Sequence, residues 1–100
     1  MAQVDLAPGL VEDFNRILVF QLHKTLEDAA SRIAEIMHAI DVLPHNPLIG
    51  RPVTNRKREL VIGRKSHGYV ALYQYVDEID TVFVLAVRVQ REAGYTRSDG

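Results

Sequence analysis

The chain has 100 residues, of which 47% are hydrophobic and 25% charged, and its formal net charge is −1. These values are ordinary for a globular protein, so we expect one domain over residues 1–100 with a core of its own. The absence of cysteine excludes a disulfide framework and a thiolate zinc site. No apolar run approaches the roughly 18 residues of a membrane span. No signal-peptide pattern is visible either, which makes a cytoplasmic protein without membrane contact the default expectation.

Charge is divided unevenly between the two halves. Residues 1–50 contain three Lys or Arg against seven Asp or Glu, whereas residues 51–100 contain nine against six. The basic residues concentrate in Arg51–His67, where Glu59 is the one acid. Such a cluster attracts nucleic acid or an acidic protein segment. The alternative interpretation is a solvated loop and edge strand that its charge protects from aggregation.

The first half predicts a short strand followed by two helices. Gln3–Leu6 is the candidate strand, and apolar residues then recur at helical spacing. They predict a first helix that ends near Lys24 and a second that follows Thr25 as its N-cap. The second helix stops before Pro44, because proline disfavours helical geometry in the residue that precedes it. The short link between the helices predicts an αα-hairpin.

The second half predicts a loop and then three strands. In order, the segments are the loop His45–Pro52, a strand Arg58–Ile62, a basic turn Gly63–Gly68, and strands Tyr69–Val76 and Thr81–Val89 around an acidic turn. The predicted order is therefore β-α-α-β-β-β. We expect an α+β fold, in which the αα-hairpin packs on one face of an antiparallel sheet.

The short acidic turn fixes a predicted register for the last two strands. Val76 lies opposite Thr81, which places Tyr69 opposite Arg88 and predicts a cation–π contact between them. Alternation then gives an aliphatic face of Val70, Leu72, Phe83, Leu85 and Val87, which we expect to face the helices. The opposite, tyrosine-lined face is predicted to be exposed and to bind a partner. Its predicted partner-binding residues are Tyr69, Tyr73, Tyr75, Val82, Val84 and Arg88. The alternative is a homodimer through the same face.

Four segments carry a family resemblance through their order and spacing. They read PLIGRP at 47–52, RELVIG at 58–63, GYVALY at 68–73 and VLAVRVQRE at 84–92. Together they resemble the RelE/ParE superfamily of type II toxin–antitoxin toxins, often labelled plasmid stabilisation proteins. The resemblance implies a small antiparallel sheet with a helical hairpin on one face. It also implies a cognate antitoxin that wraps and neutralises the toxin, in a toxin–antitoxin hetero-oligomer. No cofactor is expected.

The resemblance leaves two targets to separate. RelE-like members cleave mRNA on the ribosome, and ParE-like members inhibit DNA gyrase. RelE-like members carry lysines on the strand before the central hairpin, but here that strand, Arg58–Ile62, has none. They also carry an arginine after the Gly-Tyr that opens the next strand, where this chain has Val70. The resemblance thus predicts a ParE-like gyrase inhibitor that is not itself an enzyme, with Arg88, Arg91 and Tyr95 as target contacts.

The alternative function is a metal-independent, ribosome-dependent mRNA endoribonuclease. Its candidate residues are Arg51, Arg64, Lys65, Arg88 and Arg91 as charge donors, and His67 or Tyr95 as proton-transfer groups. Two of these have plainer interpretations, since Arg51 can brace its loop through carbonyls and His67 can be an exposed loop residue. A third hypothesis is a small basic nucleic-acid-binding module. No metal site is expected, because the other three histidines, His23, His38 and His45, lack ligand spacing.

Overall fold

The computed structural model describes residues 1–21, 26–63 and 68–90. Within these ranges the elements are β1 Gln3–Leu6, α1 Leu10–Gln21, α2 Leu26–Ile40, β2 Arg51–Pro52, β3 Arg58–Ile62, β4 Tyr69–Val76 and β5 Thr81–Val89. The α+β class and the four predicted strands are confirmed. The two-residue strand β2 is an addition, and it lies in a segment that the sequence indicated to be a loop. No helix in the described ranges is long and apolar enough to cross a membrane.

The strands form one sheet in the order β1-β5-β4-β3-β2. β1 runs parallel to β5, and the other neighbours are antiparallel. The β4–β5 hairpin is therefore central, with the short strands β1 and β2 at the two edges. α1 packs against β5, and α2 contacts both α1 and β3.

Both helices are amphipathic, and their apolar sides form the core with the sheet. Leu10 and Ile17 of α1 are buried, as are Ile36 and Ile40 of α2, whereas Glu12 on α1 is exposed. The spacing of these buried residues at about one or two helical turns gives each helix a single apolar stripe. The stripes pack on one sheet face, so that face has to supply the other half of the core.

The face under the helices is the tyrosine-lined one, so the predicted choice of core face was wrong. Its buried residues, all at most 4% exposed, are Ile62, Tyr69, Ala71, Tyr73, Val82, Val84 and Val87. A phenol can be buried when its hydroxyl has a partner. Here the Gly50 N–H donates to the Tyr73 hydroxyl at 2.8 Å, and the Tyr75 hydroxyl donates to Asp80 Oδ1 at 2.7 Å. The first contact lets the Tyr73 ring enter the core, and the second holds Tyr75 half-buried at its border.

The predicted register holds near the turn and changes at a β-bulge. The confirmed pairs are Val76 with Thr81, Tyr75 with Val82 and Tyr73 with Val84. The next pair is Leu72 with Ala86, so Leu85 is an extra residue in β5. A bulge of this kind moves all later residues of its strand to the opposite face.

The bulge separates Tyr69 and Arg88, which the sequence predicted to face each other. Tyr69 pairs with Val89, and Arg88 pairs with Val70. Because adjacent residues of a strand point to opposite faces, Arg88 lies on the side of the sheet away from the helices while Tyr69 lies in the core. The predicted cation–π contact between the two residues is therefore wrong.

Two side chains of α1 complete the edge of β5 where β1 has ended. β1 pairs with β5 only as far as Val84. Farther along, the Val87 N–H donates to Asp13 Oδ2 at 2.9 Å, and Arg16 Nη2 donates to the Val87 carbonyl at 3.1 Å. Asp13 is only 2% exposed. The pair satisfies both backbone groups of Val87, as a neighbouring strand would, and fixes α1 against the sheet.

We predict that Asp13→Ala lowers the free energy of unfolding by about 2–3 kcal/mol, because a buried N–H loses a charged acceptor. Urea denaturation monitored by circular dichroism measures this change. The matched control is Glu12→Ala, the exposed acid next to it in α1, which should stay within about 0.5 kcal/mol of the parent. Equal losses for the two variants would contradict the anchoring role of Asp13.

Candidate functional site

Three charged side chains meet on the sheet face turned away from the helices, which we call the helix-free face. Arg51 of β2 and Glu59 of β3 are cross-strand partners, so their side chains lie on the same side. Arg51 Nε and Nη2 donate to Glu59 Oε1 at 3.1 and 2.9 Å. Arg88 Nη2 lies 3.9 Å from Glu59 Oε2. Each carboxylate oxygen thus faces one guanidinium.

Arg88 reaches Glu59 by passing over the strand between them. Glu59 is paired with Leu72 of β4, and Arg88 is paired with Val70, so the guanidinium crosses β4. Its side chain is 14% exposed, and its Nη1 also donates to the carbonyls of Val89 and Gln90 at 3.4 and 3.2 Å. These contacts hold the Arg88 charge in one place.

The exposed fractions give the three residues different roles. The Glu59 side chain is 11% exposed, and a carboxylate so removed from water requires cationic partners. The Arg51 side chain is 61% exposed. Arg51 can therefore bind an anionic group from another molecule without releasing Glu59. With two guanidinium groups and one carboxylate, the cluster carries a net charge of +1.

Among the residues that the structure describes, this cluster is suited to binding ions rather than to moving protons. The tyrosines of β4 lie on the opposite face, and burial raises the pKa of the Tyr69 and Tyr73 hydroxyls. Both remain protonated at neutral pH, beneath the helices. Within the described ranges, no three His, Asp or Glu side chains come together as a metal ion would require.

The segment that leads into β2 is held by Arg58 and Tyr73. Arg58 Nη1 donates to the carbonyls of Leu48 and Gly50 at 3.1 and 2.7 Å, so Arg58 has the bracing role considered for Arg51. A Cβ on Gly50 would lie 2.7 Å from the Tyr73 ring and 2.8 Å from its hydroxyl. Only glycine fits this close approach, and it sets the position of Arg51 directly after it.

The structure brings together two of the residues proposed for nuclease chemistry, Arg51 and Arg88. The other five, Arg64, Lys65, His67, Arg91 and Tyr95, lie outside the described residues, and they include two of the three predicted target contacts. Sequence reasoning missed Glu59, which joins the two arginines. The available signal was its alternation with Leu60 in β3, which places an acid on the opposite face from Leu60 and Ile62.

The predicted partner-binding residues divide between the core and the surface. Tyr69, Tyr73, Val82 and Val84 are at most 2% exposed under the helices, so their prediction as a binding surface is wrong. Tyr75 is half-buried at the end of β4, and Arg88 belongs to the cluster on the helix-free face. The first four are buried because the helices cover their face of the sheet and occupy the space that a partner would need.

Comparison with known families gives one match over most of the chain. A sequence model of the family described as "ParE toxin of type II toxin-antitoxin system, parDE" matches residues 4–94. No curated protein matches the chain.

Solved structures share the fold at low sequence identity. A chain of the chromosomal ParDE TA system from P. aeruginosa is similar, with a TM-score of 0.74 and 17% identity over 89% of this chain and 96% of that chain. The intact E. coli RelBE toxin–antitoxin complex contains a second similar chain, with a TM-score of 0.61 and 15% identity over 92% of this chain and 100% of that chain. The isolated E. coli RelE toxin is also similar, with a TM-score of 0.60 and 15% identity over 93% of this chain and 89% of that chain. At these identities the likeness shows the fold alone.

We predict that Glu59→Gln lowers the free energy of unfolding by about 2 kcal/mol, because the buried arginine loses its countercharge. The matched control is Glu35→Gln. Glu35 forms an exposed pair with Arg32 at 3.6 Å, and such pairs contribute about 0–1 kcal/mol. Thermal and urea denaturation of both variants checks the difference. A Glu59→Gln variant as stable as the Glu35→Gln variant would contradict the structural role of the cluster.

Proposed function

The chain belongs to the family of ParE toxins of type II toxin–antitoxin systems, and we propose that it acts by inhibiting DNA gyrase and that a cognate antitoxin neutralises it. The observation that carries the choice of target is the position of Glu59 between Arg51 and Arg88. The proposed contacts with the target are Arg88, Arg91 and Tyr95.

Glu59 opposes the electrostatics that RNA cleavage requires. Cleavage without a metal depends on uncompensated cations, which stabilise the negative charge that develops on the phosphorus centre. Here a carboxylate accepts two hydrogen bonds from Arg51 and lies 3.9 Å from Arg88, so it offsets part of their charge and repels a phosphate. A protein surface, which presents both acids and bases, suits such a mixed cluster better.

The position of Val70 supports the same conclusion. Val70 is 1% exposed on the helix-free face and is the cross-strand partner of Arg88. RelE-like enzymes, which this chain resembles less, have an arginine at this point. With valine, the middle of the face carries no charge, so a phosphate would lack a cation at this point.

The second candidate function is cleavage of ribosome-bound mRNA. The observation that favours it is the exposed guanidinium of Arg51, which can bind a phosphate. Arg51 and Arg88 both pair with the Glu59 carboxylate, so two guanidinium groups lie close together. In this alternative, Arg51, Arg64, Lys65, Arg88 and Arg91 supply charge, and His67 or Tyr95 transfers protons.

We predict that the purified chain blocks supercoiling by DNA gyrase and leaves ribosome-bound mRNA intact. Arg91→Ala should weaken the inhibition of gyrase about tenfold, since truncation of a contact arginine commonly costs more than 1 kcal/mol. Arg32→Ala, on the exposed side of α2, is the matched control and should inhibit like the parent. Cleavage of mRNA at defined codons that Tyr95→Phe abolishes would instead establish the ribonuclease alternative.

For the antitoxin, we propose a contact on the helix-free face. The similar chains of the ParDE system and of the RelBE complex come from toxin–antitoxin assemblies. Arg51 offers an exposed cation, and Val61 on the same face is 44% exposed. Together they form a small apolar and cationic surface, which suits an antitoxin segment with an acid next to an apolar residue.

We predict that Arg51→Ala weakens co-purification with the antitoxin, because the exposed guanidinium supplies the ionic contact. Arg32→Ala removes the same side chain from α2, away from the helix-free face, and should leave co-purification unchanged. Thermal unfolding of each variant separates lost binding from lost structure. Full retention of the antitoxin by a folded Arg51→Ala variant would exclude this contact.

A further inference from the structure

An exposed apolar surface lies at the end of the sheet where two turns meet. Leu48 and Ile49, in the segment before β2, are 60% and 56% exposed. Two adjacent hollows of about 510 and 330 Å³ share Leu48 and Tyr75 in their walls, and Ile49 lines the larger one. Protruding side chains thus stand directly beside space that accepts side chains. We call this region, with the charged residues described next, the turn surface.

The turn surface carries opposite charges on its two flanks. Arg56 comes from the turn between β2 and β3, and Asp77 and Glu78 come from the turn between β4 and β5. All three are exposed and line the smaller hollow, of about 330 Å³. Within the part of the chain that the structure describes, Arg56 forms no ion pair with either acid. The flanks therefore remain available to charges on another molecule.

Arg56 occupies a left-handed backbone conformation that is unfavourable for arginine. Asn55 and Arg56 have φ values of 62° and 60°, as the two central residues of a tight hairpin turn require. Asparagine tolerates this left-handed region and glycine prefers it, whereas a long side chain is disfavoured there. Backbone hydrogen bonds close the turn: the Lys57 N–H donates to the Thr54 carbonyl at 3.3 Å, and the Val53 N–H donates to the Lys57 carbonyl at 2.9 Å. The Arg56 side chain takes no part in these backbone hydrogen bonds, so its exposed charge is free to meet an acid on another molecule.

We propose that the turn surface pairs two copies of this chain about a twofold axis. A twofold interface brings the same patch of each copy together, so the patch must be complementary to itself. Rotation by 180° places Arg56 of each copy against Asp77 and Glu78 of the other. It also brings the protruding Leu48 and Ile49 of one copy to the hollows of its partner.

The charge pattern selects a second copy over other occupants. An acidic segment would match Arg56 and be repelled by Asp77 and Glu78, and a basic segment would meet the reverse. A copy of the same surface satisfies both flanks at once, with apolar contact at the centre, as in ordinary interfaces. This pairing is independent of the target and of the antitoxin contact at Arg51.

The test is charge reversal followed by mixing, with sedimentation velocity of the full chain at micromolar concentrations. We expect the parent chain to dimerise. Arg56→Glu and the double variant Asp77→Lys, Glu78→Lys should each raise the dissociation constant at least about tenfold, because like charges then meet across the axis. An equimolar mixture of the two variants should restore the dimer, since every contact again joins opposite charges.

Glu12→Lys on α1 is the control for charge reversal elsewhere and should dimerise like the parent. Circular dichroism confirms that each variant is folded. A parent chain that remains monomeric, or a mixture that fails to pair, would overturn the proposal. Loss of antitoxin binding in the turn-surface variants, with a monomeric parent, would also overturn it and would assign the surface to the antitoxin.

Discussion

One extra residue in β5, Leu85, determines which face of the sheet carries Arg88. Strict alternation from the turn would place Arg88 on the same side as Tyr73, under the helices. A guanidinium in that apolar layer would lose its hydration without a countercharge, at a cost of several kcal/mol. The bulge instead turns Val87 into the core and Arg88 to the helix-free face, where Glu59 lies within 3.9 Å. The charged cluster exists because of this one change of register.

The same part of β5 also anchors the first helix. β1 ends its pairing at Val84, so the outer edge of β5 beyond that residue has no strand beside it in the described chain. Asp13 and Arg16 take over the hydrogen bonds of Val87, and the side chain of Val87 is fully buried. One residue thus fixes the position of α1 by its backbone and fills the core with its side chain. The helix position and the exposure of the opposite face are set together.

Sequence patterns predicted the strands well and the faces poorly, for identifiable reasons. The β-prone runs on either side of an acidic turn gave β4 and β5 with their observed bounds. Both sides of that hairpin are apolar, so alternation alone does not tell which side the helices cover. A bulge inside an apolar run has no signature in the residue types. The partner that lets Tyr73 be buried, Gly50, is 23 residues away in the chain.

The cluster of Arg51, Glu59 and Arg88 could be predicted only in part from the sequence, for a related reason. Arg51 and Arg88 were named separately, Arg51 as part of the basic cluster Arg51–His67 and Arg88 as a charge within an aliphatic strand. Their connection through Glu59 depends on the sheet order, which places β3 beside β4 and lets Arg88 cross over it. Charge partners that are distant in sequence become visible only when the strand neighbours are known.

The braced segment before β2 positions residues of both surfaces that this chain presents to other molecules. Leu48 belongs to the turn surface and Arg51 to the helix-free face, only three residues apart. Between them, Gly50 is packed so closely against Tyr73 and the Glu59 backbone that a methyl group would approach within 2.8 Å. Arg58 binds the carbonyls on both sides of Ile49. Because these contacts fix the segment at its centre, Leu48 and Arg51 each hold a set position on the sheet, and both surfaces are formed before a partner arrives.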